Sequence, residues 1–157
     1  MKLKPIHGAV NIPFSRQRYE TSDAPAKDIV IAYLKRNGHE ILDSKEDFSV
    51  DIKSEKNYNS YFSEVEVKFA WSGDWNPNWK EIRIPYRKHK LINKVKSLGK
   101  DNSFFNFYIL RSDLKAAWRI KDDIVAASEV KEAKGRYIKK GEHFFHIPYE
   151  KAILIEL

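Results

Sequence analysis

Two carboxylates and a lysine at strand-like spacing are the residues of this sequence best suited to chemistry. Glu66 and Lys68 lie two positions apart in the segment EVEVKF, and Asp51 lies in the preceding segment FSVDI. Carboxylates hold Mg²⁺, which retains several waters and needs few protein ligands. Such a metal lowers the pKa of a bound water and neutralises charge on a phosphate, while a neighbouring lysine can assist that water. The three side chains therefore suit metal-assisted phosphodiester hydrolysis.

These side chains can meet only if two strands place them on one side of a sheet. Residues 48–53 alternate polar and apolar side chains, which predicts a strand with Asp51 on its polar face. Residues 61–69 alternate in the same way and put Glu66 and Lys68 side by side. If the two strands pair as a hairpin, Asp51 joins them. The solvent face of any half-exposed strand looks similar, so spacing alone leaves both interpretations open.

The segments around the two strands predict an α/β fold with a central sheet. A capping residue at Ser22 or Asp23 and a proline at 25 start a helix that Asn37-Gly38 ends. The predicted order is a helix at 23–36, strands at 39–42, 48–53 and 61–69, a helix at about 85–98 and a strand at 104–110. A strand at 116–120, a helix at 122–131 and extended segments at 143–149 and 151–157 follow. Turns are predicted at 43–47 and 54–60, and irregular chain at 1–21.

Composition sets the class of protein. The chain has 157 residues, no cysteine and 42% hydrophobic residues, so residues 1–157 are predicted to form one domain without disulfides. The net charge of +7 favours an anionic partner, most commonly nucleic acid. No apolar run is long enough to span a membrane, and residues 1–14 lack the core of a secretory signal. A cytoplasmic protein is expected.

A basic segment follows the two strands. Between Arg83 and Lys100 there are seven Lys or Arg residues and no acid, over a predicted helix with an apolar stripe. Its candidate contacts to a phosphate backbone are Arg87, Lys88, Lys90 and Lys94. A solvated helix face has the same composition, and the sequence leaves the two interpretations even.

The order of these segments resembles the core of the PD-(D/E)XK nuclease superfamily, which includes many restriction enzymes and archaeal Holliday-junction resolvases. The resemblance covers residues 23 to about 120 and implies a restriction-endonuclease-like mixed sheet flanked by helices (an αβββαβ core). It also implies an endonuclease that cleaves DNA with Mg²⁺ or Mn²⁺. By position, Asp51 matches the first metal-binding acid, Glu66 the second and Lys68 the motif lysine. Val50 replaces the proline that often precedes the first acid.

The resemblance also suggests auxiliary residues and an assembly. Many members carry an acid on the first helix, where Lys27 is best aligned here and Asp28 is the adjacent candidate. Glu64 shares the face of Glu66 and is either an outer metal ligand or, as we favour, a solvent-exposed neighbour. Lys88 is a further candidate for aiding the reaction. Members often act as dimers, so a homodimer is expected.

A loop with three tryptophans leaves further alternatives open. Trp71, Trp75 and Trp79 could stack on unpaired bases, anchor the loop on the sheet or form a dimer contact. Two rival functions follow from these features. The chain could be a nucleic-acid-binding module without catalysis, or an interaction protein whose tryptophan loop docks a partner.

Overall fold

The computed structural model describes residues 2–6, 23–42, 50–132 and 141–157. The helices are α1 (Ala24–Arg36), α2 (His89–Lys96) and α3 (Asp122–Ala126). The strands are β1 (Glu40–Leu42), β2 (Ile52–Lys56), β3 (Asn59–Lys68), β4 (Glu81–Pro85), β5 (Ser103–Arg111), β6 (Ala116–Lys121), β7 (Glu129–Glu132), β8 (His143–Pro148) and β9 (Ile153–Glu156). Short 3₁₀ turns lie at Tyr86–Lys88 and Tyr149–Lys151. The predicted mixed α/β class is confirmed.

A six-stranded mixed sheet carries the two strands of interest, in the order β1-β2-β3-β5-β6-β9. The first three strands are antiparallel neighbours, whereas β3 and β5 are parallel. Their pairing runs from Ser60 with Ser103 to Lys68 with Arg111. Parallel neighbours need a crossover connection, which here contains β4 and α2.

A tight turn at Asn57 and Tyr58 joins β2 to β3. Both residues have positive φ angles, 52° and 65°, as a type I′ hairpin turn requires. This turn fixes the hairpin register, in which Ile52 pairs with Ser63. The turn predicted over residues 54–60 is therefore too long, because strand pairing continues up to Lys56 and Asn59, which directly flank the turn.

Each face of the large sheet is covered by different elements. On one face α1 packs Ala26, Val30 and Leu34 against Val65 and Leu110. On the other face lies a larger cluster formed by α2, the neighbouring strands and the three-stranded sheet β4-β8-β7. Side chains alternate across a strand, so Val65 faces α1 while Glu64 and Glu66 face the opposite layer.

Further predicted bounds are wrong, and other predicted elements lie outside the described residues. The helix predicted from Pro85 begins only at His89, because Pro85 ends β4 and residues 86–88 form a 3₁₀ turn. The helix predicted at 122–131 ends at Ala126, and residues 129–132 form a strand whose Val130 pairs with Phe145. The strand predicted at 48–53 begins at Ile52, and its first two residues lie outside the described chain. The turn predicted at 43–47, and most of the irregular segment 1–21, lie there too.

Candidate active site

The hairpin brings Asp51 opposite Glu64. Asp51 lies one residue before β2, and extending the register of Ile52 with Ser63 by one step puts it across from Glu64. The Asp51 amide donates a hydrogen bond to Glu64 Oε1 at 3.1 Å. The Val65 amide donates to Asp51 Oδ2 at 2.8 Å. These bonds hold two carboxylates side by side at one end of the hairpin.

Glu64 is buried, so the prediction that it is a solvent-exposed neighbour of Glu66 is wrong. Only 4% of the residue is accessible to solvent, because it faces the layer formed by α2 and the second sheet. Burial raises the pKa of its carboxyl to about 8, and repulsion from Asp51 adds to the rise. Lys88 opposes the rise but does not cancel it. Acids with strongly raised pKa values occur both at functional sites and in buried structural ion pairs.

Lys88 enters the same cluster from the 3₁₀ turn before α2. Its ammonium lies 2.5 Å from Glu64 Oε2 and 3.5 Å from Glu66 Oε1. Burial lowers the pKa of Lys88, but attraction to Glu64 and Glu66 outweighs it, so the net shift is upward. Lys88 therefore carries a positive charge between two carboxylates, which places this auxiliary candidate in the centre of the cluster.

The turn that presents Lys88 is fixed on both sides. Tyr86 is buried, and its hydroxyl donates a hydrogen bond to the carbonyl of Lys4. The His89 ring stacks on Tyr86, and its Nδ1 lies 2.8 Å from the Tyr86 carbonyl oxygen. Lys88 lies between these two anchored residues, so its backbone position is set by packing.

Glu66 and Lys68 share a face of β3 but differ in their surroundings. Glu66 keeps 29% of its side chain exposed and reaches Lys88. The Lys68 ammonium lies over the ring of Trp79, 5.1 Å from its centroid. Burial, and then the charge of Arg83, lower the pKa of Lys68. The lysine seen in contact with Glu66 is thus Lys88.

Asp28 lies on the other side of the sheet. It is an exposed residue of α1, whose buried side chains pack on the Val65 face. Glu64 and Lys88 meet on the opposite face. The structure therefore does not bring Asp28 into the described cluster.

The four predicted phosphate contacts separate into two kinds. Arg87 pairs with the buried Glu142 at 3.4 Å, and Lys88 pairs with Glu64. Lys90 and Lys94 are exposed on α2. Arg87 and Lys88 are thus engaged with carboxylates inside the protein, whereas the other two face solvent.

The tryptophan loop packs mainly on the protein itself. Trp71 is 1% exposed and stacks on Trp118, with ring centroids 6.1 Å apart. Trp75 meets Trp71 edge to face, and its Nε1 donates a hydrogen bond to the Trp79 carbonyl at 2.9 Å. Trp75 and Trp79 are partly buried against the core. These contacts favour the loop-anchor interpretation over base stacking, above all for Trp71.

The donor chemistry of the cluster fits a small divalent cation. Asp51, Glu64 and Glu66 supply carboxylate oxygens, which Mg²⁺ prefers. Within the described residues no group of three or more His, Asp or Glu is arranged to hold a metal ion. Mg²⁺ commonly uses only one or two carboxylates and keeps its remaining waters.

Comparison with known proteins gives no match from which a function could be assigned. The sequence matches no protein-family model, and no curated protein sequence matches it. Among the helices of the described ranges, none has both the length and the apolar character needed to cross a membrane.

Proposed function

We propose that this chain is a metal-dependent DNA endonuclease of the PD-(D/E)XK type, with its active site at the start of β2 and on β3. The observation that carries the proposal is the buried Glu64 carboxylate, which contacts Asp51 on one side and Lys88 on the other. The order of elements supports it, because a helix and a three-stranded meander are followed by a crossover to a parallel strand. The resemblance found in the sequence implies an order of this kind.

Two carboxylates have the role of metal ligands in this proposal. Asp51 and Glu66 would hold Mg²⁺ or Mn²⁺, as the resemblance implies, and Glu64 supports Asp51 by accepting a hydrogen bond from its backbone amide. When bound, the metal supplies Lewis-acid chemistry to a phosphate and a bound water. The backbone amides of Asp51 and Val65 hold the Glu64 and Asp51 carboxylates in place through hydrogen bonds.

Lys88 acts on the phosphate as a hydrogen-bond donor and a fixed positive charge. Its ammonium stays charged, and its three donors can reach both a carboxylate and a phosphate oxygen. A fixed positive charge near the reacting phosphate stabilises the negative charge that builds up there. The resemblance assigns this work to Lys68, which remains the second candidate and is tested beside Lys88.

The exposed side of α2 provides a grip on the DNA backbone. A cavity of about 640 Å³ lies between this helix and residues 2–5, and its lining includes Lys2, Lys90 and Lys94. Asn93 fixes the N-terminal segment by exchanging two hydrogen bonds with the backbone of Leu3. Lysines grouped in this way attract phosphates without reading sequence. We include a homodimer in the proposal, since two active sites would cut both strands, and sedimentation analysis tests it directly.

Cleavage assays on linear, branched and single-stranded DNA, with and without Mg²⁺ or Mn²⁺, test the proposal. Wild-type protein should cut at least one substrate only when the metal is present. Asp51→Asn and Glu64→Gln should reduce cleavage to background, and Lys88→Met should lower the rate about a hundredfold or more. Glu55→Gln is the matched control, because Glu55 is an exposed acid on the same hairpin. Metal-dependent cleavage that survives in Asp51→Asn would refute the site.

Comparing Lys68→Met with Lys88→Met decides which lysine acts on the phosphate. The contacts of Lys88 with Glu64 and Glu66 predict the larger loss for Lys88→Met. A larger loss in Lys68→Met, with normal DNA affinity, would return the role to the motif lysine.

A nucleic-acid-binding module without catalysis is the second candidate. The Lys88 ammonium neutralises charge between Glu64 and Glu66, so the cluster can also serve as a structural ion pair. In that case DNA is bound but not cut at any metal concentration, and Asp51→Asn leaves DNA affinity unchanged.

A further inference from the structure

A second cavity lies on the opposite face of the large sheet from the acidic cluster. It has a volume of about 470 Å³ and lies where the C-terminal end of α1 leaves the sheet uncovered. Its floor is formed by neighbouring residues of three strands: Tyr61 pairs with Phe104, Asn106 with Lys121, and Tyr108 with Arg119. The volume is within the usual range of small-molecule sites, about 300–1,000 Å³.

Aromatic rings form one part of this cavity. The rings of Tyr61 and Phe104 are stacked, with centroids 5.2 Å apart and planes 23° from parallel. His39 meets Tyr61 edge to face at 4.7 Å, and its Nδ1 lies 2.9 Å from the Ser54 hydroxyl. These neighbours fix the orientation of Tyr61, so the cavity has an aromatic surface held in place before any ligand arrives.

Positive charge forms the other part. The described lining of the cavity includes no acidic residue. Four of its side chains are cationic: Lys56, Arg119, Lys121 and Lys151. They come from three elements, because Lys56 lies on β2, Arg119 and Lys121 on β6, and Lys151 in the 3₁₀ turn before β9. Arg119 donates to the Tyr33 hydroxyl at 3.4 Å, and the Lys121 ammonium lies 6.0 Å from the Phe104 ring centroid. Cations therefore stand directly beside the aromatic surface.

We propose that this cavity binds an unpaired nucleotide, with the base on the Tyr61 and Phe104 surface and the phosphate among Arg119, Lys121 and Lys151. A base has a flat π face that stacks on aromatic side chains, and its phosphate requires nearby cations. Duplex DNA hides its base faces in the helical stack, so the cavity selects an unpaired nucleotide, either free or within a single strand. The inference stands on this cavity and does not depend on the proposed nuclease activity.

Calorimetric titrations in EDTA test this site without any cleavage. The probes are dTMP, the single-stranded hexamer (dT)₆ and a blunt duplex. One variant removes two exposed cations, Lys121→Gln with Lys151→Gln, and a second removes the stacking ring, Tyr61→Leu. The matched control is Lys80→Gln with Lys115→Gln, which removes the same charge from exposed positions outside the cavity lining. Thermal unfolding of each variant shows that it remains folded.

Wild-type protein is expected to bind (dT)₆ or dTMP. The double lysine variant should weaken that binding at least about tenfold, and Tyr61→Leu at least about fivefold, since stacking contributes substantially per base. The control should bind dTMP within about twofold of wild type. Binding of dTMP identifies a free nucleotide as sufficient, whereas binding of (dT)₆ alone identifies a nucleotide within a strand. The proposal is overturned if wild type binds neither probe, or if both pocket variants bind them as wild type does.

Discussion

The Glu64→Gln variant is expected to gain stability relative to wild type as the pH rises. Burial, followed by repulsion from Asp51, raises the pKa of the Glu64 carboxyl from 4.5 to about 8. Between about pH 4.5 and about pH 8, Glu64 is protonated in the folded protein but ionised in the unfolded chain. The free energy of unfolding of wild type therefore falls as the pH rises from about 4.5 to about 8. Glutamine does not titrate, so this decline is absent from the variant.

The size of the effect follows from the same shift. One pKa unit corresponds to about 1.4 kcal/mol, so three pH units set a ceiling of about 4 kcal/mol. Glu64 titrates together with Asp51 and Lys88, which spreads the change over the cluster and lowers the expected gain. We expect the difference in unfolding free energy between variant and wild type to grow by about 2 kcal/mol from about pH 5.5 to about pH 8.5.

Urea denaturation in EDTA, at these two pH values, measures the difference without metal binding. Glu55→Gln serves as the control for removing an acid from the exposed part of the hairpin, and it should follow wild type. Parallel pH dependence in wild type and Glu64→Gln would refute the reasoning, because Glu64 would then titrate as it does in the unfolded chain. The same variant should lose metal-dependent cleavage, so a more stable protein would be less active.

Two further predictions concern the core and the basic helix. Trp71→Ala should lower the free energy of unfolding by about 3–5 kcal/mol, because the side chain is almost completely buried against Trp118. Urea denaturation checks it, and a loss under about 1 kcal/mol would contradict the anchoring role. Replacing both Lys90 and Lys94 by glutamine should reduce the slope of log affinity for duplex DNA against log salt by about 2. Fluorescence anisotropy measures the slope, and an unchanged slope would show that Lys90 and Lys94 do not contact the DNA.

The order of elements could be predicted because most of them carry strong local signals. The helix at 23–36 has a proline in its first turn and Asn37-Gly38 at its end, and the structure has α1 at Ala24–Arg36. The apolar run at 104–110 became β5. The segment after Ala126 could not be assigned in this way, because β7 depends on pairing with β8, which lies farther along the chain. A distant partner outweighed the local helical pattern there.

The position of Glu64 shows what alternation can and cannot predict. Glu64, Glu66 and Lys68 were correctly placed on one face, since strand geometry allows no other outcome. Which of them meets Asp51 depends on hairpin register, and register depends on the turn. The turn residues Asn57 and Tyr58 include no glycine, so the usual sequence signal for a two-residue turn is weak. Asn57 at the first turn position was the available signal.

The identity of the central lysine depended on packing that no local pattern encodes. Lys88 was predicted both as a phosphate contact on a basic helix and as an auxiliary residue, but its contact with Glu64 was not predicted, because a 3₁₀ turn anchored by Tyr86 directs it inward. Lys68 has the motif spacing, yet its ammonium lies over Trp79. The contact between Lys88 and Glu64 joins residues 24 positions apart and depends on how the crossover packs on the sheet.

The burial of Glu64 and Lys88 carries a cost in stability, which is the physical argument behind the proposed site. Taking two charges out of water costs several kcal/mol per ion, and an apolar pair of similar size often stabilises a fold as well or better. Here the cost of ionising Glu64 is increased, because the negative charge of Asp51 lies beside a residue that is only 4% exposed. Simple packing at this position could be satisfied by two aliphatic side chains. A cluster in which acids repel one another gains most from a cation with more charge than one ammonium, and this gain is the physical argument behind the proposed divalent metal at Asp51 and Glu66.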